Sequence, residues 1–257
     1  MQNDELKERV EEMLSSNQGS MEYYFDVYDE LCDERDALHD DIIETLLSRK
    51  KYSCKKKIFM LGGAPANGKS SFIRSGLVPY PSDALKIDPD EIKNMLPEYQ
   101  YLTHAGHPAA AAIVHEESSY ISKELRSIAI ERGFDLILDG VANDTLTRRK
   151  EDAALLKVNG HWVRIDYVTL NTELSVRLAE LRSKQTGRMV PETIVREYNR
   201  NIAILVPQLI DRQLFNELYL WDTNIEGSPR LILSQKSGKL VVVNSELFTN
   251  FKKKADE

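Results

Sequence analysis

The chain has 257 residues, 42% hydrophobic and 29% charged, a balance that buries a sizeable core and excludes a disordered chain. No apolar run nears the roughly 18 residues of a membrane span, the polar opening Met1–Val10 is no secretory signal, and two cysteines, Cys32 and Cys54, exclude a disulfide scaffold or a four-cysteine zinc site and fit a cytoplasmic setting. The net charge of −7 is uneven: residues 1–50 hold 15 acids and 5 bases, and the remainder holds 26 acids and 29 bases, so an acidic arm precedes a mildly basic body.

The arm reads as helical. Leu6, Val10 and Leu14 recur at helical spacing, and Ser15–Ser20 interrupts them. A second helical stretch from about Met21 carries Tyr24, Val27, Tyr28 and Leu31 on one face, and continues through a bend to Leu38, Ile42, Ile43, Leu46 and Leu47. The basic residues Arg49–Lys51 and Lys55–Lys57 mark a boundary. We therefore expect an acidic helical segment over 1–50 and a second domain over 56–257.

In the body, strand and helix signals alternate. Ile58–Leu61 has the length of a buried parallel strand. Leu85–Ile87 and Asp135–Leu138 are further strand candidates, with a long helix over Ala109–Glu131 between them. Then follow helix Arg149–Val158, strand Trp162–Leu170, helix Thr172–Lys184, helix Pro191 to about Phe215 and strand Leu218–Trp221. Arg230–Leu233 and Lys239–Val243 flank Ser237-Gly238 as a hairpin. The alternation predicts an α/β fold with a mostly parallel sheet covered on both faces.

The strongest motif is Gly63-Ala64-Pro65-Ala66-Asn67-Gly68-Lys69-Ser70, followed by Ser71. It is a complete G-x-x-x-x-G-K-S between a strand and a helix. Glycines permit close backbone approach. Successive N–H groups and the helix N-terminus then favour a phosphate. Lys69 would reach the β- and γ-phosphates, and the Ser70 hydroxyl would ligate Mg²⁺.

Three further features bear on what is done with the nucleotide. Asp88 and Asp90 follow a strand, where a carboxylate accepts the proton of an acceptor hydroxyl or caps the next helix. Asp139 closes another strand, as a metal-shell acid or a turn residue. Arg177, Arg182 and Arg188 surround a Gly187-Arg188 break, as a phosphate-gripping lid or a solvated helix end. His104 and His107 read as loop residues, not metal ligands. His39 and His161 read as surface or core.

Together these residues resemble the zeta-toxin family of P-loop kinases. The resemblance rests on Gly63–Ser71, Ile87–Lys93 with Pro97-Glu98-Tyr99, His115-Glu116-Glu117-Ser118, Leu138-Asp139-Gly140 and Gly187–Pro191. It implies a P-loop NTPase-type three-layer fold and a kinase that uses ATP and Mg²⁺. The favoured acceptor is the 3′-hydroxyl of UDP-N-acetylglucosamine. By the same resemblance Asp90 is the general base, and Arg188 with Arg177 or Arg182 grips the γ-phosphate. Glu117 and Ser118 lie on the acceptor side, and Asp139 near metal or acceptor. Val141 stands where the family often has Thr, which leaves open another acceptor, NAD or a nucleic-acid end. A nucleotide-gated switch protein is the non-enzymatic alternative. The body's small positive balance does not favour a nucleic-acid footprint. The arm resembles a cis-acting antitoxin segment, with Tyr23, Tyr24, Phe25 and Tyr28 among acids; the alternative is a helical hairpin that only completes the core or an oligomer interface.

Overall fold

The computed structural model describes residues 2–25, 31–50, 55–139, 145–186 and 190–257. In chain order the elements are α1 (Gln2–Ser16), α2 (Ser20–Tyr24), α3 (Asp33–Ser48), β1 (Lys57–Gly62), α4 (Lys69–Arg74), β2 (Leu85–Ile87), α5 (Pro89–Lys93), α6 (Pro97–His104), α7 (Ala110–Ile113) and α8 (His115–Glu131). They continue as β3 (Leu136–Asp139), α9 (Leu146–Val158), β4 (Trp162–Thr169), α10 (Thr172–Thr186), α11 (Glu192–Arg212), β5 (Glu217–Asp222), β6 (Arg230–Lys236), β7 (Lys239–Val242), α12 (Ser245–Lys253) and a 3₁₀ turn, Lys254–Asp256. The chain forms two compact units: residues 1–52 with 87–132, and 53–86 with 133–257.

The larger unit is built on a sheet of order β2-β3-β1-β4-β5-β6-β7. β1 is parallel to β3 and β4, and β4 to β5. The last two strands are antiparallel, joined through Ser237 and Gly238 at φ 46° and 79°, as a tight hairpin requires. Alternation along β1 sends its side chains to two faces. Phe59 and Leu61 pack with Phe72 of α4, Val168 and Trp221. Met60 points the other way, and its sulfur meets the Arg149 guanidinium of α9 at 3.7 Å. Helices therefore cover both faces of β1, which is why its run is apolar without a break. This is the expected α/β fold with a mostly parallel sheet.

The smaller unit is helical. α1 ends at Ser16 where predicted, and Val10 and Met13 are fully buried. The second stretch differs from the expectation. α2 is five residues long, Phe25 bridges Leu31 as an isolated antiparallel pair, and α3 begins at Asp33. The expected face of Tyr24, Val27, Tyr28 and Leu31 does not form on one helix; Val27 and Tyr28 lie outside the described residues. The long helix over Ala109–Glu131 is also two, broken at Val114 with φ −102° and ψ 9°. His104 is the last residue of α6 and not in a loop. Among the described residues no helix is long and apolar enough to cross a membrane.

Candidate functional site

In the larger unit β1 runs straight into Gly63–Ser70. Gly68 is the N-cap of α4 at φ 79° and ψ 19°, a left-handed conformation that a side chain disfavours. A Cβ on Gly63 would stand 2.6 Å from the Val168 side chain and 3.0 Å from its carbonyl oxygen, so the loop is pressed against β4 there. Ala66 adopts φ 63° without being glycine. The first-turn N–H groups of α4 have no intrahelical acceptor; the first such bond runs from Phe72 N to Gly68 O at 2.8 Å. Lys69 lies over the loop, its ammonium donating to Gly63 O at 2.7 Å and Ala64 O at 3.2 Å. Ser70 is exposed, and Arg74 donates to the Ser71 hydroxyl at 3.0 Å. An anion binding here would meet backbone donors and the Lys69 ammonium.

The loop is clamped from behind by residues that spacing did not single out. Asn67 is 1% exposed. Its carboxamide donates to Asn199 Oδ1 of α11 at 3.2 Å and accepts from the Ser175 hydroxyl of α10 at 2.6 Å. Its backbone carbonyl accepts from the Thr223 hydroxyl at 2.8 Å. Beside the loop lies a cavity of about 320 Å³, bounded by Ala66, Gly68 and Ser71 on one side and by Leu170, Leu174, Leu178, Ile225 and Pro229 on the other. Leu178 and Ile225 are among the exposed large apolar side chains. Apolar walls with a few polar groups suit a flat ring system. Apolar residues on the exposed side of α10 were the available signal.

Asp139 ends β3 in register with Leu61 of β1 and is exposed. The strand ends thus bring Asp139 beside the strand that feeds the phosphate loop. Among the described residues no group of three His, Cys, Asp or Glu could hold a metal ion. One hydroxyl and one carboxylate suit Mg²⁺ bound mainly through phosphate oxygens and water. Arg177 and Arg182 are both exposed on α10. Arg188, Gly140 and Val141 lie outside the described residues.

The smaller unit holds the other candidates. Asp88 caps α5, its carboxylate accepting from Asp90 N at 3.1 Å. The capping role therefore falls on Asp88. Asp90 is exposed, and its carboxylate accepts from Lys93 Nζ at 2.9 Å. Ser118 is buried and donates to His115 O at 2.9 Å.

Glu117 and Glu98 are both fully buried. Arg35 of α3 bonds each of them twice: Glu98 at 2.9 and 2.8 Å, Glu117 at 2.5 and 2.7 Å. Tyr24 donates to Glu98 at 2.8 Å, while His39 at 2.7 Å and the Ser20 hydroxyl bond Glu117. Burial opposes the charge on Glu117, but the bonds from His39 and Arg35 outweigh it and hold the carboxyl down at about 2. The Tyr24 ring lies 4.1 Å from the Arg35 guanidinium carbon. Phe25 stacks edge-on against Tyr120. Two aromatics of the arm are thus engaged within the helical unit. Sequence reading missed Arg35 and His39, because their partners lie 63 to 82 positions away.

The chain matches the family model described as Zeta toxin over residues 43–232. Among solved structures, the AvrRxo1-ORF1:AvrRxo1-ORF2 complex with sulphate ions is similar, at 18% identity and a TM-score of 0.69 over 86% of this chain and 73% of that one. The same complex with ATP gives 17%, 0.70, 90% and 76%. The PezAT chromosomal toxin–antitoxin system of the human pathogen Streptococcus pneumoniae gives 18%, 0.61, 88% and 97%. At these identities the likeness is one of fold. A search of curated proteins finds no match.

Proposed function

The chain belongs to the zeta toxin family, and from that premise we propose that it is an ATP-dependent kinase that phosphorylates a hydroxyl of a small nucleotide-linked acceptor. The observation that carries this reading is the phosphate loop: a strand, a left-handed Gly68, the first turn of α4 and Lys69 folded over the loop carbonyls. The apolar cavity beside it would take the nucleobase. A structure of similar fold is described with ATP.

In this reading the loop N–H groups and Lys69 hold the β- and γ-phosphates and offset the charge that spreads over the transferring group. Arg188, with Arg182 or Arg177, would grip the same oxygens. Ser70 and Asp139 would hold Mg²⁺, which supplies further charge neutralisation when bound. Asp90 would take the proton of the acceptor hydroxyl, held in place by Lys93. UDP-N-acetylglucosamine is the first acceptor to test, from the family resemblance.

The arm enters the same proposal. Its Ser20, Tyr24, Arg35 and His39 occupy Glu98 and Glu117, and Glu117 sits in the block that the resemblance assigns to the acceptor. An arm bound there would inhibit in cis, by keeping both carboxylates from an acceptor. An intramolecular inhibitor acts at high effective concentration.

The test is ATP turnover by the full chain with and without UDP-N-acetylglucosamine. Acceptor-dependent turnover that falls by about two orders of magnitude in Asp90→Asn is the expected result. Turnover equal in Asp90→Asn would sink the assigned base. ATP binding without turnover on this sugar nucleotide, on NAD or on nucleic-acid ends would leave a nucleotide-gated switch. Cis inhibition predicts that Arg35→Met raises turnover; a fall in step with melting temperature would assign the arm to packing alone.

A further inference from the structure

We propose that Lys254, on the turn after α12, is a positioning residue for the phosphate loop, acting through Asn199 and Asn67. The proposal rests on the nucleotide-binding reading of that loop.

Lys254 is 8% exposed. Among the described residues its hydrogen-bond partners are three neutral oxygens: Thr169 Oγ1 at 2.8 Å, Leu170 O, and Asn199 Oδ1 at 3.4 Å. An ammonium has three donors, so all three are used. Burying a cation without a carboxylate against it is costly. Burial pushes this amine down to about 8, while Glu257 and Asp222 act in the opposite direction. A methionine would fill such a site without that cost, so the charge is retained against stability.

What the ammonium holds is the back of the loop. Asn199 is 2% exposed, and its amide donates to Val195 O at 3.0 Å. The same Asn199 Oδ1 accepts from both Lys254 and Asn67. A carbonyl oxygen has two acceptor sites, and this one is saturated by one donor from each side. Asn67 is in turn fixed by Ser175 and Thr223. The Thr223 backbone N–H donates to Thr169 O at 2.9 Å, which returns to the strand end that Lys254 holds. The polar chain closes on itself around Asn67. Its neighbours Ala66 and Gly68 are the two loop residues at φ 63° and 79°. Networks of this kind set geometry more than stability, and the N–H cradle depends on those torsions.

The experiment measures equilibrium ATP affinity of the full chain by titration calorimetry, with melting temperature followed in parallel. Lys254→Met and Asn199→Ser are each expected to weaken ATP binding about ten-fold, the size of one well-placed hydrogen bond. The double variant should lose no more than either single one, because both cut the same relay. Thr172→Val removes the neighbouring tether from the Thr172 hydroxyl to Glu257, 2.7 Å long, keeps the Glu257 charge, and should leave affinity unchanged. That separates positioning from mere loosening of the turn. If Lys254→Met does not fold, Asn199→Ser decides, since it leaves the ammonium its bonds to Thr169 and Leu170. Unchanged affinity in folded Asn199→Ser, or losses that add in the double variant, would overturn the relay. Absence of ATP binding by the unaltered chain would overturn the nucleotide reading instead.

Discussion

The two units each bury a polar network, and they do so in opposite ways. In the helical unit Arg35 faces two carboxylates, with His39, Tyr24 and Ser20 completing their shells. In the sheet unit Lys254 faces neutral oxygens and passes its influence through two asparagines. The ionic cluster is a lock: each member is costly to remove because it strands an opposite charge. The amide relay is weaker, and it holds Asn67 through neutral groups, while the buried Asp222 next to Thr223 is paired with Arg230. A loop that is to receive phosphates gains from that, since an unpaired buried carboxylate would repel the ligand.

The largest way to break this contrast is Arg35→Met. It leaves Glu98 and Glu117 buried without their cation, and should cost about 3–5 kcal/mol in denaturant unfolding. A loss under about 1 kcal/mol would mean that the cluster is no lock.

A smaller effect tests a third buried group. His161 is 6% exposed, and among the described residues neither ring nitrogen has a hydrogen-bond partner. Burial first, and then Lys56, lower its pKa from the ordinary 6.5, with Asp135 acting the other way. The unfolded chain therefore takes up this proton first as pH falls through about 6.5, and stability declines below that pH. His161→Met should remove part of the difference between urea midpoints at pH 7.5 and 5.5. An unchanged difference would place the acid sensitivity elsewhere. The smallest effect concerns the helix that leads to Lys254. Asn244 caps α12, accepting from Leu247 N at 2.9 Å. Asn244→Ala should cost about 1 kcal/mol, read as a fall in midpoint; no change would mean that the cap is unused.

What was legible in the sequence follows the range of the interactions. Gly63–Ser70 could be read because phosphate binding requires a local pattern, and the strand–loop–helix frame around it came with it. Asp88 and Asp90 could not be sorted by spacing, since capping and proton transfer use the same residue type at the same place. Asn67 was only a variable position of the motif. Its value comes from Asn199 and Ser175, 132 and 108 positions away, and nothing local marks them. The arm failed differently. Tyr24, Val27, Tyr28 and Leu31 satisfy helical spacing, yet Phe25 pairs with Leu31, and Tyr24 and Phe25 take partners on α6 and α8. Tertiary contacts override a periodicity that short. Val114 is a similar case, where a continuous helical pattern hides a break.

The order of strands bears on how the chain comes off the ribosome. β1 is the first strand in sequence but the third in the sheet, and its neighbours are β3 and β4. Ile58, Phe59, Met60 and Leu61 therefore have no partner strand until the chain through Asp139 has been made, and lack their second one until Thr169 has. At roughly 5–20 residues per second, synthesis takes about 5–20 s to cover that stretch. For those seconds the most apolar strand, the one that carries the phosphate loop, is open to wrong pairing. A nascent-chain chaperone that binds short extended apolar segments would have its natural target there.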